Sequence, residues 1–74
     1  MYRLEIQREN QWKPVARGLY RTRMRAVTAA LWRTAEAGSA HRVVDVELKS
    51  ITDVIPEGSI QRGNQSWRGT EPPP

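Results

Sequence analysis

The chain contains no cysteine, a single histidine, and no apolar run near the roughly 18 residues that a membrane-crossing helix needs. Without cysteine there is no disulfide framework. One histidine cannot build a Cys/His zinc site, so neither usual staple of a mini-domain is present. The start, Met1-Tyr2-Arg3, runs into alternating residues and lacks the apolar block of a signal peptide. A length of 74 residues accommodates one small domain, since domain sizes centre on about 100–150 residues. These absences predict a cytoplasmic, self-contained chain with no membrane partner.

Acidic residues are also in deficit. Twelve Lys+Arg face eight Asp+Glu, a net charge of +4, and ten of the twelve are arginine. GC-rich coding would produce that bias. So would an anionic partner, because arginine offers a planar, five-donor fork that matches phosphate and carboxylate geometry. Composition does not separate the two readings, so position has to.

From Tyr2 to Glu9 the residues alternate, with Tyr2, Leu4 and Ile6 on one side and Arg3, Glu5 and Gln7 on the other. A period of two over this length predicts a half-buried strand. Glu9-Asn10-Gln11 is polar with a turn-former at Asn10, which predicts a tight hairpin. Trp12 to Arg17 reads as the returning strand, and Pro14 assigns it to a sheet edge because proline cannot donate to a ladder. Gly18 breaks the run.

A helix follows. Thr22 is the candidate N-cap, Arg23 to Ala37 holds no glycine or proline, and Gly38 stands where a C′ glycine ends a helix. Met24, Val27, Thr28, Leu31 and Ala35 recur at three- and four-residue spacing and form the expected buried stripe. Arg42 to Lys49 reads as a third strand, with Val44, Val46 and Leu48 on one side and Val43, Asp45, Glu47 and Lys49 on the other. Ser50 to Ile55 either extends it or forms a short extra strand. The expected fold class is α+β: ββαβ, a small antiparallel-rich sheet with one helix packed on one face. Its expected core is Leu4, Ile6, Trp12, Val15, Met24, Val27, Leu31, Ala35, Val44, Val46 and Leu48.

The character changes at Pro56. Residues 56–74 hold four of the five prolines and three of the five glycines, with almost no apolar residues. Such a composition buries too little surface to offset its ordering entropy, which predicts a flexible, disordered tail after a binding domain of residues 1–55. A domain of that size buries only about 60% of its unfolded surface and is marginal without a partner.

Catalytic motifs are sparse. His41 stands near Ser39 between helix and third strand, but no acid is spaced to complete a triad, and a lone histidine there reads as solvated or turn-bonding. Asp45 and Glu47 share a strand side and are flanked by Arg42 and Lys49, so a solvated face is favoured over a pair of carboxylates holding a divalent ion. Gly58, Gly63 and Gly69 form no phosphate loop. The expectation is a chain that is not an enzyme, with no cofactor, metal or catalytic residues.

The helix entrance is more informative. Arg17, Arg21, Arg23 and Arg25 crowd into nine residues at the N-terminal turn, while Glu36 lies near the other end. The macrodipole prefers the reverse by about 0.3–1 kcal/mol per charge, and a local rule broken repeatedly points to a binding role. An anion would resolve the conflict, since free N–H groups, dipole and arginines would all address it. At about 100° per residue, Arg21, Arg25 and Trp32 fall in a sector about 40° wide beside the apolar stripe. Arginine and tryptophan together suit a cation–π grip on a nucleic acid or the anchor of a protein interface; alternatively Trp32 completes the core and the arginines snorkel. In the tail, Trp67 stands between Arg62-Gly63 and Arg68-Gly69 and reads as a second anchor. The tail's charge sums to zero, Arg62 and Arg68 against Glu57 and Glu71, so the whole +4 lies in residues 1–55.

Partner-binding candidates are therefore Arg17, Arg21, Arg23, Arg25, Trp32 and Trp67. They fit a binding module that inserts into a larger protein complex, with an exposed edge strand available to an extended peptide. They also fit direct, non-specific nucleic-acid binding with steep salt dependence, although no pair of exposed aromatics marks a base-stacking platform. A purely structural or oligomerising fragment is a third possibility. In layout across residues 2–74, a short cysteine-free ββαβ block with a charged face and a loose tail resembles the small proteins that bacteriophages use against host machinery, the inhibitors of host RNA polymerase and the anti-CRISPR proteins. No family motif accompanies the resemblance. It implies a viral protein in the host cytoplasm that regulates transcription by occupying a site on RNA polymerase, without turnover; blocking a CRISPR surveillance complex is the alternative.

Overall fold

The computed structural model describes residues 1–59. The chain forms β1 (Tyr2–Arg8), β2 (Gln11–Tyr20), α1 (Arg23–Ala37), β3 (His41–Asp45) and β4 (Ser50–Ile55). The strands build one sheet in the order β2-β1-β3-β4, antiparallel at every junction, and α1 lies on one side of it. The fold is α+β, and Ser50–Ile55 is an additional strand that makes it ββαββ.

The first hairpin turns on Glu9 and Asn10, with φ of 53° and 65°. A two-residue turn with both central residues left-handed matches the twist of the flanking strands, and asparagine tolerates that conformation. β2 continues through Gly18 to Tyr20 instead of stopping, by means of a bulge. Arg3 pairs with Leu19 and Glu5 with Pro14, so Val15 through Gly18 all stand opposite Leu4. Arg17 takes φ of 57° inside the bulge, and a Cβ at Gly18 would lie 2.9 Å from the Val15 carbonyl oxygen. Glycine is there for close approach, and β2 is an edge strand as Pro14 requires.

The helix caps match the sequence. Thr22 has extended backbone angles and its hydroxyl accepts from the Arg25 N–H at 3.2 Å, while Gly38 adopts φ of 70° and donates to the Thr34 carbonyl at 2.9 Å. The buried face differs from the expected stripe. Ala26, Ala30 and Thr34 face the sheet, with Val27 and Ala29 partly buried, whereas Met24 is 79% exposed. The helix is rotated by about 120° from the reading that put Met24 and Leu31 inward. Two alanines let the helix backbone approach Leu4 and Val43 closely, and these residues form the core with Tyr2, Val15, Tyr20, Val27, Ala29 and Ile55 packed around them.

The third strand also differs. It ends at Asp45, whose Oδ1 accepts from the N–H groups of Glu47 (3.0 Å) and Leu48 (3.1 Å). That side-chain bonding offers the backbone an alternative to the ladder and starts a turn, closed by Lys49 at φ 56°. Leu48 is therefore an exposed turn residue, not core. The faces of β3 are reversed as well: Val43, opposite Leu4, is covered by the helix, and Val44 is buried on the other side. Trp12, opposite Gln7, also belongs to the side away from the helix.

Candidate functional site

The four arginines of the helix entrance do not share one role. Arg23 forms a bidentate pair with Asp53 of β4, Nη2 to Oδ1 at 2.7 Å and Nε to Oδ2 at 2.9 Å. The hydrogen bonds from Arg23 hold the Asp53 carboxyl below the usual carboxylate range, with the Thr52 hydroxyl adding to them. This pair ties the first helical turn to an edge strand, and a protein carboxylate supplies the anion that the reversed dipole arrangement called for. Arg23 thus already has a carboxylate partner within the chain, while its side chain stays 60% exposed.

Arg17, Arg21 and Arg25 are exposed and form no ion pair with a described residue. Arg17 projects from the β2 bulge. Arg21 precedes the N-cap, so helical periodicity does not place it in line with Arg25 and Trp32 as expected. Arg25 and Trp32 do share a sector, seven positions apart on α1 and opposite Ala30. Trp32 is 67% exposed, so it does not complete the core. With Met24 it puts two large, soft apolar side chains on the outer helix surface beside free positive charge. Trp67 lies outside the described residues.

The face of the sheet away from the helix holds a constellation that periodicity did not reveal. Glu5, near its centre, is 6% exposed, and three groups of guanidinium N–H converge on it. Arg3 donates from Nε (3.1 Å) and Nη2 (2.9 Å) to Oε2, and Arg42 donates from Nε to Oε1 at 2.7 Å. The Arg42 guanidinium also lies over the Trp12 ring, 4.5 Å from its centroid, a cation–π contact. Beside this network Val44, Val46, Lys49 and Ile51 complete the wall of a shallow cleft of about 490 Å³. Further out, Leu19 on β2 and Ile51 and Val54 on β4 are each more than half exposed.

Alternation places Arg3 and Glu5 on one side of a strand but does not by itself join them into a site. What joins them to Arg42 is the β1–β3 register, Glu5 opposite Arg42, which depends on a strand pairing across 37 residues. The single legible signal was that Arg3, Glu5 and Arg42 occupy the positions alternate to Leu4 and Val43.

His41 is the first residue of β3 and 1% exposed, not a solvated loop residue. Because Ser39 O can only accept, Nδ1 carries the proton; it donates to that carbonyl at 2.9 Å and lies 3.1 Å from the Thr34 hydroxyl oxygen. Burial lowers the pKa of His41, opposed by the Ser39 hydrogen bond and assisted by Arg33 and Arg8. The ring fastens the last helical turn to the sheet. Among the described residues no three His, Cys, Asp or Glu side chains are grouped as metal ligands would be, and no helix is long and apolar enough to cross a membrane. No protein-family model, curated protein or solved structure matches the chain.

Proposed function

We propose that the chain is a non-catalytic binding protein that regulates a larger nucleic-acid-handling complex by occupying a site on it. In keeping with its layout, the complex put forward is RNA polymerase, and the biological setting a phage-type regulator of host transcription. The observation that carries this reading is Trp32. A tryptophan two-thirds exposed on the outer surface of a capped, well-packed helix contributes little to folding, and tryptophan and arginine are the residues most enriched among interface anchors. Met24 adds adaptable apolar area, and Arg25, Arg21 and Arg17 add positive charge that speeds encounter with an acidic surface.

The test replaces Arg21, Arg25 and Trp32 together by alanine. None of these side chains enters the core, so the circular dichroism spectrum and melting temperature stay within error of the parent chain. Retention of purified bacterial RNA polymerase by the immobilised protein falls at least about tenfold, the loss of one good anchor. Unchanged retention by the triple variant, or none by the parent, overturns the reading.

Direct nucleic-acid binding is the second reading, favoured by the three arginines that lack a described ion-pair partner. It predicts gel shifts on free DNA whose log affinity falls with log salt at a slope of about −2 to −3, one counterion for each of three phosphate contacts. A slope near zero, with polymerase retained, leaves the first reading standing.

A further inference from the structure

We propose that the uncovered sheet face is a second docking site, which takes an acidic protein segment whose carboxylate is flanked by apolar side chains. The centre of the site is Arg42. Its Nε is held by Glu5 and its Cζ lies over the Trp12 ring, while neither Nη nitrogen has a partner among the described residues. A guanidinium fixed on two sides with donors to spare is pre-organised, so a carboxylate meets it at a small entropic cost.

Charge decides the occupant. Around the cleft, Arg3, Arg42 and Lys49 stand against the one carboxylate of Glu5, an excess of two positive charges. A second copy of this chain laid on the same face would bring the same excess against itself, which argues against self-association there. A nucleic acid is also disfavoured. Glu5 sits at the middle of the face, and the flanks offer Leu19, Ile51 and Val54, aliphatic groups with no counterpart in a phosphate backbone. Trp12 is the sole aromatic of this face among the described residues, and one side of its ring is taken by Arg42. A charged centre with apolar flanks matches an acidic residue between aliphatic ones. This site lies across the sheet from α1, so it stands or falls separately from the role given to Trp32.

The experiment is a nuclear magnetic resonance titration of the full-length, ¹⁵N-labelled chain with a blocked pentapeptide, Leu-Val-Asp-Val-Leu. Control arms use the same peptide with asparagine for aspartate and an octathymidylate strand. The expected result is a saturable shift of the Trp12 indole and of the Arg42, Val44 and Ile51 amides, with a Kd on the order of 1 mM. The asparagine peptide binds about tenfold more weakly, because the charge-assisted bonds are lost. Arg42→Lys keeps the charge but loses the fork and weakens the aspartate peptide about tenfold. Should that variant fail to fold, Lys49→Asn, at an exposed turn position whose left-handed backbone asparagine accepts, is expected to weaken it about threefold. The proposal is overturned if the two peptides shift these signals equally, if only the oligonucleotide shifts them, if nothing moves at about 10 mM peptide, or if every folded variant binds like the parent.

Discussion

The two faces of the sheet are built on opposite terms. Under the helix the side chains are mostly apolar: Leu4 and Val43 meet Ala26 and Ala30, and the two buried polar side chains, His41 and Thr34, lie 3.1 Å apart, with His41 also bonded to the Ser39 carbonyl. On the far side three charged groups share the middle, and aliphatic side chains are left exposed at the rim. The first face is packed under α1, with Leu4 and Val43 fully buried. The second holds ordered charge that no element of the described chain covers. A buried ion network adds little net stability over an apolar patch of equal volume, because desolvation offsets attraction. It is this uncovered charge that the proposed docking site would use.

That contrast is broken most directly by truncation. Leu4→Ala opens a cavity under the helix and is expected to cost about 2–5 kcal/mol in urea denaturation with an unchanged slope. Ile51→Ala, on the far face and already half exposed, is expected to cost less than about 1 kcal/mol. Equal losses would show that the far face is as much a core as the near one.

A smaller effect is expected at the charged centre. Glu5→Gln keeps the shape of the side chain but leaves Arg3 and Arg42 without their counter-charge. Both arginine side chains retain some exposure, 37% and 22%, so solvent absorbs part of the cost, and about 1–3 kcal/mol is expected. If Glu5→Gln is neutral by urea denaturation, the network is not coupled to folding. If it costs as much as Leu4→Ala, the two faces do not differ in the way argued above.

How much of this was legible in the sequence follows from which signals are local. Thr22 and Gly38 bracket the helix through bonds made within one turn, so the helix ends were readable from residue type. The turn at Glu9-Asn10 was legible for the same reason. The rotation of the helix was not, because periodicity favours large apolar residues, whereas the sheet selects small ones where the backbones approach most closely. Alanine at 26 and 30 reads as helix propensity until Leu4 and Val43 are known to lie beneath it. The end of β3 was hidden because Asp45 looks like any alternating strand residue until its carboxylate caps two N–H groups. On the outer helix surface, the shared sector of Trp32 and Arg25 was readable from spacing alone. The roles of Arg23, paired with Asp53 thirty residues away, and of Glu5 required the sheet register.

The smallest expected effect concerns the buried histidine of the covered face. His41 is the chain's sole histidine, so between pH 7 and 5 no other side chain of ordinary pKa titrates. Burial sets its folded-state pKa below 6.5, the value expected in the unfolded chain. In the window between the two values the unfolded state binds more protons, so stability falls as pH drops. Above about pH 6.5 both states hold the neutral ring and stability is level; below the folded value both are charged and the loss stops growing. Asp53, whose pKa is lowered by Arg23, contributes its own loss only in the more acidic carboxylate range, so the two are separable. Melting temperatures in matched-ionic-strength buffers should decline from pH 7 to 5, and Thr34→Val, which removes the hydroxyl near Nδ1, should change the size of that decline. A flat profile, or a rise on acidification, would mean that the covered face tolerates a charged ring, and the contrast between a dry face and a charged one would lose its sharpest element.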